Sequence, residues 1–364
     1  ASSAETGAGK GWVTIRETRL AGSSAPRALE WTDGNSWAVN IPVAPGSHAY
    51  QIEAYDFSGE LIETDTIRVD NNGTVEPAST LNLAVSELMY NPSAPTAAEV
   101  NSGFADADLF EFIELTNIGT LDVDLTEVSF TAGINYDLPA IVIPSGERVI
   151  LARNRAAFLL RHPGMAPFLL TGEYGIGDTN KLANGGELIV IQDGLGGDIR
   201  RFTYDDKFPW PNVSDGDGPS LVLIAPDTNP DHALPSNWRA SAVSGGNPGS
   251  SDAKSFVGDP TADLDNNGVR DLVDHALLGD GLQILTFSGS TVGFEFNRDL
   301  AADDVVVGLQ VSTDLSNWTN GSELFSALDP IYLGTGGQRI RYEAQSSELP
   351  AERFFIRLQV VLTK

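Results

Sequence analysis

Ala49-Tyr50-Gln51-Ile52-Glu53-Ala54-Tyr55 alternates apolar and polar side chains, the period of a strand with one face buried and the other wet. Asp56-Phe57-Ser58-Gly59 follows as a hairpin turn, because Asp accepts bonds from the amides after it and Gly tolerates a left-handed backbone. Outward from this pair, Trp12-Val13-Thr14-Ile15-Arg16, Trp37-Ala38-Val39-Asn40-Ile41 and Thr64-Asp65-Thr66-Ile67-Arg68-Val69 repeat the pattern between Gly, Pro, Asp and Asn turns. Short strands at that spacing predict a sandwich of immunoglobulin or fibronectin type. Period-2 strands continue at Leu115, Ile141–Ile143, Val149–Leu151, Leu188–Ile191 and Leu221–Ile224, then at Thr291–Phe296, Val305–Thr313, Gln338–Glu343 and Phe354–Leu362. One helix is expected at Arg153–His162, stopped by Pro163-Gly164.

A chain of 364 residues outgrows one hydrophobic core, so about two to four domains are expected. With 22 Lys and Arg against 50 Asp and Glu, the net charge of −28 repels phosphate backbones and anionic lipid and favours cations. Nucleic acid is therefore excluded as a partner. The absence of cysteine removes disulfides, thiol catalysis and Cys-ligated zinc together. No apolar run approaches the roughly 20 residues of a membrane span, so no membrane insertion is expected. The acidic, cysteine-free, Gly-, Asn- and Thr-rich composition reads as extracellular or cell-surface, and Ala1 in place of Met fits a processed protein or the tail of a longer one.

Within Leu81 to Asp252, Val85-Ser86-Glu87-Leu88-Met89-Tyr90-Asn91-Pro92, Phe110-Glu111-Phe112-Ile113-Glu114-Leu115-Thr116-Asn117 and Leu182-Ala183-Asn184-Gly185-Gly186-Glu187 come in order. They are followed by Trp210-Pro211, Asp215-Gly216-Asp217-Gly218-Pro219-Ser220-Leu221, Asn237-Trp238-Arg239-Ala240-Ser241 and Pro248-Gly249. This succession resembles the bacterial lamin-tail domain family, which implies an immunoglobulin-like sandwich, here with a polar insertion, Ala94 to Ala107, expected as a solvated loop. Trp37 through Gly59 resembles an immunoglobulin-like module of bacterial exported proteins. Gln310 to Trp318, with Arg353 to Leu358, resembles a C-terminal domain of large secreted proteins of planctomycetes. The expected domains are a linker at 1–10, a sandwich at 11–79, the lamin-tail-like sandwich at 80–252, a calcium loop with a short helix at 253–284, and a small sandwich at 285–364. The fold class is all-β: tandem immunoglobulin-like β-sandwiches with one short calcium-loop and helix segment.

The sequence carries no complete catalytic pattern. Gly7-Ala8-Gly9-Lys10 lacks the upstream glycine, the Ser or Thr after the Lys, and the preceding strand of a phosphate loop. His48, His162 and His232 read as surface histidines outside any nucleophile motif. Glu111 and Glu114, three apart on a strand, point to opposite faces and suit hydrogen bonding better than a glycosidase pair. Of the tryptophans, Trp37, Trp210 and Trp238 read as core or edge packing, and Trp31 as half-buried on a strand. Asp215-Gly216-Asp217-Gly218 reads as a turn.

Residues Asp263–Asp274 fill the ligand register of a 12-residue calcium loop: Asp263, Asp265, Asn267, the Val269 carbonyl, Asp271 and Asp274 at positions 1, 3, 5, 7, 9 and 12, with Gly268 at 6 for the turn. The loop resembles an EF-hand or one half of a dockerin, with Asp at 12, no entering helix, an exiting helix at Asp271–Leu278, and His275 outside the ligand set. Calcium is the expected cofactor. The expected function is a non-catalytic structural or binding region, a stalk or anchor stiffened by calcium, whose partners are polysaccharide, cell-envelope components or other protein chains. The alternative is an accessory tail of a secreted enzyme, such as a spore-coat-H-like kinase, a nuclease, a phosphatase or a polysaccharide hydrolase.

Overall fold

The computed structural model describes residues 10–19, 22–23, 26–33, 36–39, 41, 43–175, 179–286, 292–334, 336–344 and 354–363. The glycine-rich stretch before Lys10 and the Arg353 position lie outside them. Strands occupy 44% of the chain, and the α-helices among the described residues, Ala97–Asn101, Arg155–Arg161 and Asp271–Ala276, are short, so the architecture is all-β and sandwich-like. The chain divides into two compact units, Ala1–Ser86 with Leu109–Tyr204 and Pro226–Ala233, and Glu87–Asp108 with Asp205–Ala225 and Leu234–Lys364.

In the first unit, Lys10–Arg19, Gly46–Asp56 and Leu61–Asn71 form the antiparallel centre of a sheet, with Gly22–Ser23 and Arg27–Ala28 beyond Lys10–Arg19. Val13, Ile15, Tyr50, Ile52 and Ala54 are buried on one face, against half-buried Leu29, Trp37, Val39 and Ile41, as the alternation requires. The hairpin turn forms as read: Asp56 Oδ1 accepts from the amides of Ser58 at 2.8 Å and Glu60 at 2.9 Å, and Gly59 sits at φ +90°. Val75–Pro77 pairs in parallel with Asp122–Asp124, so the last strand before position 79 already belongs to a sheet with residues beyond it.

Every residue of Phe112–Asn117 is buried, the polar Glu114, Thr116 and Asn117 included, so neither face of this strand is wet. It pairs antiparallel with Arg148–Ala152, Ile113 opposite Leu151. The helix Arg155–Arg161 begins at Asn154, whose Oδ1 accepts from the Ala157 amide at 2.9 Å, and it sets Phe158 edge-on to Phe112 with ring centroids 5.4 Å apart. Ser129–Ala132, Glu187–Gln192 and Asp198–Tyr204 complete an antiparallel sheet with Tyr136–Asp137.

In the second unit, Leu221–Leu223 pairs with Trp238–Ala240, and Leu221 and Val222 lie opposite Leu88 and Glu87. The polar insertion is not merely a solvated loop: it contains the helix Ala97–Asn101. Thr96 Oγ1 accepts from the Glu99 amide, and Glu99 Oε2 accepts from the Thr96 amide at 2.7 Å, a capping box written in the sequence as Thr-x-x-Glu. Toward the C-terminus, Leu277–Thr286, Val292–Asp299, Gly337–Ala344 and Phe325–Tyr332 form one sheet in that order, and Thr319–Asn320, Val305–Ser312 and Phe355–Leu362 another. Phe294, Phe325 and Ala344 of the first meet Leu309 and Val311 of the second, making a sandwich core. Pro330 interrupts the period of Phe325–Tyr332 and hides this strand in the sequence; as an edge strand it needs no amide from that residue. The exiting helix ends at Ala276, not Leu278, because Leu277 opens a strand of the sandwich sheet, which runs across the expected boundary at 284.

Candidate metal centre

The loop Asp263–Asp274 folds around its own carboxylates. Asp263 accepts from the Asn267 amide at 3.1 Å and from the Gly268 amide at 3.0 Å, and Asp265 Oδ1 accepts from the Asn267 amide at 3.1 Å. Asn267 Oδ1 accepts from the Val269 amide at 2.7 Å. These bonds wind the chain back on itself, which takes two left-handed residues: Asn266 at φ +58° and Gly268 at φ +87°. A Cβ on Gly268 would meet nothing within 4 Å, so backbone conformation, not crowding, selects glycine there.

The winding brings carboxylate oxygens of Asp263, Asp265 and Asp271 within 4.8 Å of one another, and no other group of three such side chains does so among the described residues. Asp271 opens the helix, its amide donating to the Ala262 carbonyl at 2.9 Å and its Oδ1 accepting from the Leu264 amide at 3.0 Å. Asp274 joins the cluster through Asn267, whose Nδ2 lies 3.1 Å from Asp274 Oδ2 and 3.1 Å from Asp265 Oδ2. The chemistry of this set is that of a hard cation: carboxylates and an amide from a short exposed loop, with no sulfur or imidazole among them. The residues present fit calcium. Asp263, Asp265, Asn267, the Val269 carbonyl, Asp271 and Asp274 would hold it.

The other end of the helix is anchored. Leu272 and Ala276 are buried in the sandwich with Phe296, Ala302 and Val305. His275 turns from the loop to Asp304, Nε2 to Oδ1 at 2.8 Å, and Asp304 Oδ2 accepts from the Phe256 amide. A helix of six residues thus carries the loop residues Asp271 and Asp274 and core contacts at Leu272 and Ala276. The amphipathic pattern announced Leu272; the Asp304 partner of His275 has no local signal.

The remaining candidates have structural duties. Glu111 is fully buried and accepts from the Tyr174 hydroxyl at 3.0 Å, the Leu182 amide at 2.9 Å and Arg153 Nη1 at 3.3 Å. Glu114, also fully buried, accepts from Ser86 Oγ at 2.6 Å and from Arg148. Glu87 accepts from Ser220 Oγ at 2.6 Å and the Asn247 amide at 3.0 Å. Trp210 and Trp238 are buried together, ring centroids 6.0 Å apart, whereas Trp31 is 67% exposed on the hairpin Glu30–Asp33 and Ser36–Ala38, not half-buried. His232, read as a surface residue, is 4% exposed. Asp215 accepts from Asn91 Nδ2 at 2.6 Å in a turn with Gly216 and Gly218 at positive φ. No protein-family model, no curated protein and no solved structure matches the chain.

Proposed function

We propose that the chain is a non-catalytic, extracellular binding or spacer region of a larger secreted or cell-surface protein, with its C-terminal sandwich stiffened by one calcium ion. The convergence of Asp263, Asp265 and Asp271 on a helix rooted in the sandwich core carries this reading. Bringing these carboxylates together costs Coulombic repulsion that a divalent cation would offset, and order gained by the loop would pass directly to the helix. The resemblance of Leu81 to Asp252 to lamin-tail domains fits the same reading, as does the acidic, cysteine-free composition. So do the hydrogen-bonding roles of Glu111 and Glu114, which leave neither as a free acid or base.

The test is thermal unfolding with calcium, with magnesium and with chelator, for the wild type and for Asp263→Ala with Asp265→Ala. A ligand held by the folded state alone at about 100 times its Kd stabilises by about 2.7 kcal/mol, so calcium should raise the wild-type Tm by several degrees and leave the double variant unmoved. Equal melting in every arm, with no calcium uptake by calorimetry, would end the proposal.

A further inference from the structure

On the sheet of the first unit, the register places Trp12 opposite Tyr55, Thr14 opposite Glu53 and Arg16 opposite Gln51, with Thr64 and Thr66 following on the third strand. Period 2 puts all of these on the face opposite Val13, Ile15, Ile52 and Ala54, and its outer members Trp12, Thr64 and Thr66 are exposed. The first row holds the aromatic pair with Leu61 opposite Tyr55, and the other two hold only polar side chains. Trp12 is 40% exposed and stacks on Tyr55 with ring centroids 5.4 Å apart and planes 16° apart.

The pair is built into the backbone. Between Lys10 and Trp12 the pairing slips, leaving Gly11 as the extra residue of a bulge. A Cβ on Gly11 would lie 2.6 Å from the Asp56 carbonyl oxygen and 2.8 Å from the Phe57 nitrogen, so only glycine lets the strand close against the hairpin beside the rings. Phe57, at the tip of that hairpin, is 80% exposed.

Next to the rings the polar groups are held in place. Glu53 accepts from the Tyr55 hydroxyl at 2.9 Å and from Arg16, and Arg16 Nε donates to Gln51 Oε1 at 3.1 Å. Arg16 and Glu53 cancel in charge, which makes the centre of this face neutral on a chain of net −28. A pyranose ring offers C–H groups on one face and hydroxyls around its edge, complementary to an aromatic surface beside fixed guanidinium, carboxylate and amide groups. We infer that this sheet face binds a neutral polysaccharide, the exposed ring of Trp12, backed by Tyr55, taking the C–H face of one sugar and Arg16 and Gln51 taking the hydroxyls of its neighbours, with the buried Glu53 holding Arg16 and Tyr55 in place. The inference rests on the reading of the chain as a non-catalytic binding region but not on its calcium loop.

Affinity electrophoresis of the whole chain in native gels tests it, with β-glucan, xyloglucan, galactomannan or starch in the gel and alginate as the anionic control. At least one neutral polysaccharide should retard the wild type, and alginate should not. Trp12→Ala should weaken retardation about tenfold, as the loss of about 1.4 kcal/mol of ring contact would. Gln51→Ala, which leaves the stacked pair intact, should weaken it too, and Trp31→Ala, an exposed ring elsewhere, should not. Absence of retardation by every neutral polysaccharide, retardation by alginate alone, or an equal loss in Trp31→Ala overturns the assignment. Reducing sugar released from a retarding polysaccharide would defeat the non-catalytic reading and leave the binding face standing, and chelator should leave retardation unchanged.

Discussion

His232 shows how one buried ring can set a pH limit. Its Nε2 accepts from the Val85 amide at 3.2 Å, and Nδ1 lies 3.0 Å from the Pro230 carbonyl, which it can bond only as an N–H donor. Only the neutral imidazole does both, because the protonated ring has no acceptor. Burial first, and then the Arg200 guanidinium, push its pKa down to about 4. The folded value lies below the unfolded value of about 6.5, so as pH falls the unfolded chain takes the proton first. The stability tied to the neutral ring is therefore whole above about pH 6.5 and is lost as pH falls toward 4, on the order of 2–3 kcal/mol. Replacing the ring by His232→Asn removes that component. From pH 7 to pH 4 the wild-type Tm should drop further than that of the variant, and parallel curves would refute the assignment. Strand period argues against Glu111 and Glu114 as a local pair of acids, but Glu111 lies just before the strand Phe112–Asn117 and its partners Tyr174 and Leu182 lie far along the chain. The burial of His232 was not legible in the sequence, because Asp231-His232-Ala233 carries no period and its partners lie far along the chain.

At the scale of elements, the strand Trp238–Ala240 is tied to later segments by charge. Arg239 is 4% exposed, with Nε and Nη2 at 2.6 and 2.9 Å from the Asp303 carboxylate and Nη2 at 2.5 Å from Asp252 Oδ1. Such a pair adds little when compared with a well-packed apolar replacement, but removing one partner strands the others as buried charges. Arg239→Ala should cost about 3–5 kcal/mol in urea unfolding, and a loss below about 1 kcal/mol would show that solvent reaches the two aspartates. The sequence block Asn237-Trp238-Arg239-Ala240-Ser241 marks the strand without revealing what the arginine meets, because Asp303 lies 64 residues away. Where both halves of an interaction are local, the sequence is more informative. Thr96 with Glu99, Asn154 with Ala157 and the hydrogen bonds of the acidic loop Asp263 to Asp274 all close within a few residues.

For the whole molecule, a net charge of −28 makes self-repulsion a standing cost of compactness. Raising NaCl from about 0.01 M to about 0.15 M shortens the Debye length from about 30 Å to about 8 Å, so Tm should rise with salt at pH 7, and a flat or falling curve would contradict this. The calcium shift should persist at the higher salt, since a coordinated ion is screened far less than a diffuse cloud. The sequence by itself determined the all-β class and located the strands in which apolar and polar side chains alternate. Side-chain period and turn residues are local properties, and they survive without knowledge of the neighbours. Only the tertiary structure decided that His232 is buried, that Val75–Pro77 pairs with Asp122–Asp124, that the loop helix is rooted in the sandwich by Leu272 and Ala276, and that Trp12 and Tyr55 share an open face. Each depends on which distant strand supplies the neighbour, and strand pairing over long sequence separations is chosen by the packing of the whole sheet, not by the residues of either strand alone.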